Sequence, residues 1–175
     1  MGLFLVESSL SGIVSTKQEA DQKAAELQAK LGEKEAALIE LQVSKDFSRS
    51  FFIVEATDKE TASSVLQEAG ITIELIKDVR LVGDELEKVK QQQDVVNYLV
   101  EWNLPEDLTM DQYLARKKKN SVHYEEVPEV AFARTYVCED MSKCLCFYDA
   151  PDEAAVKRAR EAVKTPIDSI TEILG

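Results

Sequence analysis

The chain has 175 residues and carries 21 Lys and Arg against 33 Asp and Glu, a formal net charge of −12. Apolar residues make up 45 %, enough for a real core, so wholesale disorder is excluded. The acidity argues against a nucleic-acid binder, because every phosphate contact needs a cation.

The chain opens Met-Gly-Leu-Phe-Leu-Val-Glu. It lacks a basic n-region and meets a charge at Glu7, so it does not read as a signal peptide. Val6 stands where a myristoylation signal wants Ser or Thr. The apolar run Leu3 to Val6 is far short of the roughly 20 residues that cross a bilayer as a helix. Three cysteines, Cys138, Cys144 and Cys146, with no secretory signal imply reduced thiols and a cytoplasmic protein.

Sliding the sequence by 94 positions lays it on itself. Leu5-Val6-Glu7 falls on Leu99-Val100-Glu101, Val43 on Val137, Asp46 on Asp140, Ser48 on Ser142, and Asp58 on Asp152. Gly83 pairs with Gly175 at an offset of 92. Residues 1–90 hold 11 basic and 17 acidic groups, residues 91–175 hold 10 and 16, so each half is −6.

Each half predicts the same elements. A strand over Leu3 to Ser8 is matched by Asn97 to Trp102. Thr16 with Glu19, and Thr109 with Gln112, have capping-box spacing at a helix start. A hairpin follows, Ala37 to Val43 with Arg49 to Glu55, matched by Ala131 to Val137 with Lys143 to Asp149. Its turns carry Asp and Ser, which bond back to the local backbone. Asp58 and Asp152 are N-caps of a second helix, and Gly70 closes it in the first half. Last strands lie around Ile73 to Val82 and Ile167 to Leu174. The order β-α-β-β-α-β is the ferredoxin-like, split-βαβ arrangement. The predicted organisation is repeat 1 over residues 1–83, a polar linker over 84–94, and repeat 2 over 95–175.

Strand alternation sorts side chains onto two faces. Ala133, Thr135, Val137, Cys144, Cys146 and Tyr148, with Ile39, Leu41, Val43, Ser50, Phe52 and Val54, form the face expected under the helices. The other face mixes Phe51, Ile53, Leu145 and Phe147 with charges, and it includes Leu38 and Phe132. A solvated face does not normally collect such aromatics, and a dry core does not hold unpaired charges. The fold class expected is therefore α+β: two ferredoxin-like repeats packed sheet to sheet as an intramolecular dimeric α/β barrel. A partly polar pocket between the sheets is the predicted site. Its ligand-binding residues are Glu40, Gln42, Glu55, Arg134, Tyr136 and Asp149, joined by Glu7 and Glu101 late in each first strand. The bland alternative is that these groups are salt bridges at a repeat–repeat interface.

Repeat 2 resembles a known family. Asn97-Tyr98-Leu99-Val100-Glu101, Leu104-Pro105, Leu108-Thr109, Arg134-Thr135-Tyr136-Val137, Glu139-Asp140, Cys146-Phe147-Tyr148-Asp149-Ala150-Pro151 and Thr171-Glu172-Ile173 are similar to the domain of unknown function 4242, which has a nickel-binding member. The resemblance covers roughly residues 97–175, with repeat 1 as a diverged copy. It implies a ferredoxin-like fold, pairing of two such units, and nickel. A His common in that family's second helix is Ala159 here, and Val65 in repeat 1. Nickel usually takes several imidazole or thiolate ligands, and His123 is the single imidazole.

Cys144-Leu145-Cys146 puts two sulfurs on one strand face, where buried Cys packs as a small hydrophobe. His123 is expected at a solvated helix end, and Arg116 to Lys119 as a solvated basic face. No nucleophile-elbow, Walker, zinc-protease or dinucleotide motif is present. Three readings follow. The first is a cytosolic, non-enzymatic binding or accessory protein with a small-molecule ligand between its sheets. The second is a dimeric α/β barrel enzyme on a small organic molecule, and the third a nickel or other divalent-metal binder. The cofactor and any catalytic or metal-ligating residues are unassigned. Neither nucleic acid nor membrane is an expected partner. The chain is expected to be a monomer with an internal pseudo-dimer, or a further homodimer of it.

Overall fold

The computed structural model describes residues 1–82, Leu86, Val89 and residues 95–174. Apart from Leu86 and Val89, the predicted linker lies outside the described residues, as do Gly83 and Gly175. The described chain forms two compact units, Met1–Val79 with Leu174, and Arg80–Ile173. No described helix is long and apolar enough to cross a membrane.

The first unit runs β1 (Gly2–Ser8), α1 (Lys17–Gly32), β2 (Ala37–Val43), β3 (Ser50–Ala56), α2 (Lys59–Glu68) and β4 (Leu75–Val82), whose last three residues fall past its boundary at Val79. Its strands are all antiparallel, in the order β2-β3-β1-β4. Thr16 caps α1 by accepting the Glu19 amide at 3.1 Å. Asp58 caps α2 by accepting the Thr61 amide at 2.8 Å. Gly70, at φ 85°, ends the α2 segment, a left-handed conformation that costs glycine little. Both helices press on one sheet face, burying Leu27, Leu31, Val65 and Leu66 against Phe4, Val6, Phe52 and Val54. Each fully buried Leu or Phe contributes about 1.5–3 kcal/mol relative to exposure.

The second unit runs β5 (Tyr98–Asn103), α3 (Met110–Asn120), a 3-10 turn (Ser121–Glu126), β6 (Ala131–Cys138), β7 (Lys143–Asp149), α4 (Glu153–Ala162) and β8 (Ser169–Glu172). Its antiparallel order is β6-β7-β5-β8. The capping box at α3 is complete. Gln112 donates its amide to Thr109 Oγ1 at 3.2 Å, and Thr109 donates its amide to Gln112 Oε1 at 3.0 Å. Asp152 accepts the Ala155 amide at 2.8 Å to start α4. The hairpin turn is locked by Asp140, which accepts the Ser142 amide at 3.0 Å and its hydroxyl at 2.6 Å. Asp46 does the same for Ser48.

The predicted face assignment needs one correction in each hairpin. The pairing register shifts between Leu38 and Glu40 and between Phe132 and Arg134. A β-bulge inserts one residue and inverts the alternation beyond it. Leu38 and Phe132 therefore lie on the helix side, against the two helix-side cores. Ile39 and Ala133 are the extra residues. Val137 pairs with Cys144 as the sequence implies.

Candidate functional site

Two groups of side chains bear chemistry. The first lies on the sheet faces that carry no helix. In the first unit, Glu7 is 9 % exposed and accepts a 2.9 Å bond from Arg49 Nη2. Arg49 also stacks over Phe51, 4.7 Å from the ring centroid. Glu40 is buried and accepts a 2.9 Å bond from Gln42 Nε2. Glu55 is half-buried at the far end of β3. In the second unit, Glu101 is 5 % exposed and accepts a 2.8 Å bond from Lys143. Arg134 is 2 % exposed, with its guanidinium 5.5 Å over the Phe147 ring. Tyr136 is fully buried and meets Phe147 edge-on at 6.0 Å. Asp149 stands exposed at the end of β7. Within the first unit Glu40 and Gln42 are thus joined, and within the second Arg134 and Tyr136 share one ring, while Glu55 and Asp149 sit at strand ends.

The second group is internal to the second unit, between its sheet and helices. Cys144, Cys146 and Tyr148 alternate along β7 and point under α3 and α4, where all three are buried. Arg160 on α4 reaches down to them. Its Nη1 donates to Cys146 Sγ at 3.3 Å and to Tyr148 OH at 3.1 Å, and its Nη2 donates to the Pro166 carbonyl at 2.5 Å. The buried Nε has no hydrogen-bond partner. Thr135 Oγ1 donates to Cys146 Sγ at 3.3 Å. Tyr124 OH lies 2.6 Å from Tyr148 OH. From α3, Lys117 sits 4.2 Å over the Phe132 ring and Tyr113 is buried. A narrow cleft of about 20 Å³, whose lining includes Trp102, Lys117, Cys146 and Arg160, leads to this cluster. That is room for one water-sized molecule.

Electrostatics separate these groups. Burial raises the pKa of Tyr113, Tyr124 and Tyr148 and lowers that of Lys117. The hydrogen bond between the two thiols lowers Cys146 and raises Cys144, and the Arg160 and Lys117 charges add to the lowering at Cys146. One sulfur of the pair ionises ahead of the other. Arg160 is disfavoured by burial but more than compensated by Cys146 and Tyr148, so its pKa is raised.

Sequence reasoning placed the two thiols in the core and missed Arg160. The signal was in the 94-residue offset. Phe52, Val54 and Leu66, all buried and apolar in the first unit, are replaced by Cys146, Tyr148 and Arg160 in the second. The basic run is likewise only partly solvated: Lys117 is half-buried, and Arg116 bonds the Lys164 carbonyl. His123 is exposed, its Nδ1 2.7 Å from Glu126.

Residues 98–173 match the family described as Nickel responsive protein SCO4226-like. The match carries that description and not the name of the domain of unknown function 4242. Among the described residues, no three His, Cys, Asp or Glu side chains converge to hold a metal ion. Among the described residues the donor set therefore does not fit nickel, which usually takes several imidazole or thiolate ligands. No curated protein matches the chain. Two solved structures share its fold end to end. TA0507, a candidate chlorite dismutase, is 11 % identical at a TM-score of 0.57, covering 100 % of this chain and 96 % of its own. A candidate monooxygenase from Lactobacillus acidophilus NCFM is 10 % identical at 0.52, covering 99 % and 94 %. Both have folds of the dimeric α/β barrel type, and at these identities the likeness concerns the fold alone.

Proposed function

We propose that this chain is a non-catalytic binding protein for a small organic anion, formed from two ferredoxin-like repeats that pair through their helix-free sheet faces. The observation that carries the reading is Arg134. The residue is 2 % exposed on a face without a helix, and its guanidinium lies over the ring of Phe147, which Tyr136 meets edge-on. A desolvated cation against aromatic faces suits a carboxylate on a flat apolar body. The carboxylates Glu7 and Glu101 are neutralised by Arg49 and Lys143, which lowers their repulsion of an anion. The full-length likeness to two barrel-type folds supports the pairing of repeats. A single imidazole and the lack of a nucleophile–base motif favour binding over catalysis. The protein is read as cytoplasmic.

Benzoate is a suitable probe, followed by calorimetry and thermal shift. The reading expects saturable binding that Arg134→Met weakens at least about tenfold while Lys157→Gln, an exposed position on α4, leaves it unchanged. Unaltered benzoate binding by Arg134→Met, or none by the wild type, sinks the anion reading. A crystal structure with the two helix-free faces splayed apart sinks the pairing.

A further inference from the structure

The two units place different side chains at equivalent positions between helices and sheet. Counted from the helix caps Thr16 and Thr109, Ala24 on α1 corresponds to Lys117 on α3. Counted from Asp58 and Asp152, Leu66 on α2 corresponds to Arg160 on α4. On the sheet, Val6 pairs with Phe52 and Val100 with Cys146, so a large ring is exchanged for a small sulfur. Within one region the second unit has gained two cations and lost a ring. The cleft of about 20 Å³ described above lies there, lined by all three replacements.

Three of the lining residues are cations, Arg116, Lys117 and Arg160, and none is Asp or Glu. That is unusual in a chain whose net charge is −12. Arg160 is 2 % exposed and bonds the Cys146 sulfur, the Tyr148 hydroxyl and the Pro166 carbonyl, while its buried Nε has no partner. Lys117 is half-buried, with its ammonium 4.2 Å over the Phe132 ring. Arg116 lies 5.3 Å over the Trp102 ring and bonds the Lys164 carbonyl. Among the described residues, none of the three cations meets a carboxylate. In the first unit the counterpart of Arg116 is Lys23, which is paired to Glu26 at 3.1 Å. On α3 the place of Glu26 is taken by Lys119.

Cations held out of water need a counter-charge, and a guanidinium does not shed its proton. The phenols of Tyr113 and Tyr124 do not supply it, because burial keeps them protonated. A negative charge on Cys146 would still leave the lining positive. The space admits a particle close to water in size, which excludes phosphate, sulfate and any carboxylate carried on a ring. We propose that this cleft binds a halide ion, with Lys117 and the Nε of Arg160 as its donors. The site is separate from Arg134, which lies on the opposite, helix-free face of the sheet. It therefore does not depend on the organic-anion reading.

Trp102 is the single tryptophan of the chain and lines the cleft, so its fluorescence reports occupancy. The test titrates the full-length protein with sodium bromide, at an ionic strength held constant with sodium gluconate, whose anion is too bulky to enter. Quenching should saturate, and sodium chloride should compete with it. Lys117→Ala and Arg160→Leu, which install the residues of the first unit, should each raise the midpoint at least about tenfold. Lys157→Gln, which removes an exposed cation of α4, should leave it in place. Replacing gluconate by chloride should raise the melting temperature of the wild type and not that of Lys117→Ala. Quenching of the wild type that rises linearly without saturating overturns the proposal. So does a midpoint that Lys117→Ala leaves unchanged. Lys117 is only half-buried, so that variant decides the matter even if Arg160→Leu does not fold.

Discussion

Lys143 holds the carboxylate of Glu101 at 2.8 Å across the β5–β7 pair, just as Arg49 holds Glu7 at 2.9 Å across β1 and β3. In both units a carboxylate buried late in the first strand meets a cation at the start of the third. The pair in the second unit is the drier one, with side chains 17 % and 6 % exposed. A double-mutant cycle with Glu101→Gln and Lys143→Met, read by urea denaturation, should find a coupling of about 2 kcal/mol. A coupling near zero would show that the pair is screened like an ordinary surface bridge.

Thr109 closes the capping box of α3, and α3 carries Tyr113 and Lys117 into the cysteine cluster. Thr109→Ala should cost about 1 kcal/mol in urea denaturation. Thr109→Ser, which keeps the acceptor oxygen, should recover most of it.

Cys146→Ala removes the sulfur that accepts from Arg160 Nη1 and leaves the buried guanidinium short of a partner, and should cost about 1–3 kcal/mol. The triple variant Cys146→Phe, Tyr148→Val and Arg160→Leu copies the core of the first unit. Replacing a buried ionic group by packed apolar side chains is neutral or stabilises by about 1–4 kcal/mol. The triple variant should therefore be more stable than Cys146→Ala despite carrying more changes. The reverse order would mean that the site is maintained by packing, not charge.

The pair also sets a pH dependence. The folded pKa of Cys146 lies well below its ordinary value of 9.0. Its contribution to stability is thus complete above pH 9, shrinks as the pH falls, and is gone below the folded pKa. Denaturation midpoints of the wild type should fall on acidification from about pH 9, and those of the triple variant should lose that slope.

In the β2–β3 turn, bonds from the Ser48 side chain, the Ser48 amide and Ser44 lower Asp46 from 3.8 to about 2. That contribution is full above pH 3.8 and disappears as the pH drops through about 2. Asp46→Asn should lower the melting temperature at pH 7, and the gap to wild type should close near pH 2. A gap independent of pH would assign the effect to the turn's backbone instead.

The order of elements, the caps at Thr16, Asp58, Thr109 and Asp152, and the two Asp–Ser turns were all legible in the sequence. Each depends on contacts between residues two to five apart, which spacing alone determines. The carboxylates Glu7 and Glu101 were legible as a repeated feature of the first strand, but their partners Arg49 and Lys143 were not. Those pairs depend on which strands become neighbours. The bulges that turn Leu38 and Phe132 toward the helices were also hidden, because each falls at two adjacent apolar residues, Leu38–Ile39 and Phe132–Ala133, either of which fits the alternation. Arg160 was the largest omission. On a helical pattern it reads as one more solvated cation. Only the packing of α4 on β7 brings its guanidinium to Cys146 and Tyr148, and only burial takes that contact out of water. Local spacing determined the elements; the tertiary structure decided which charges are desolvated, and desolvation is what gives them chemistry.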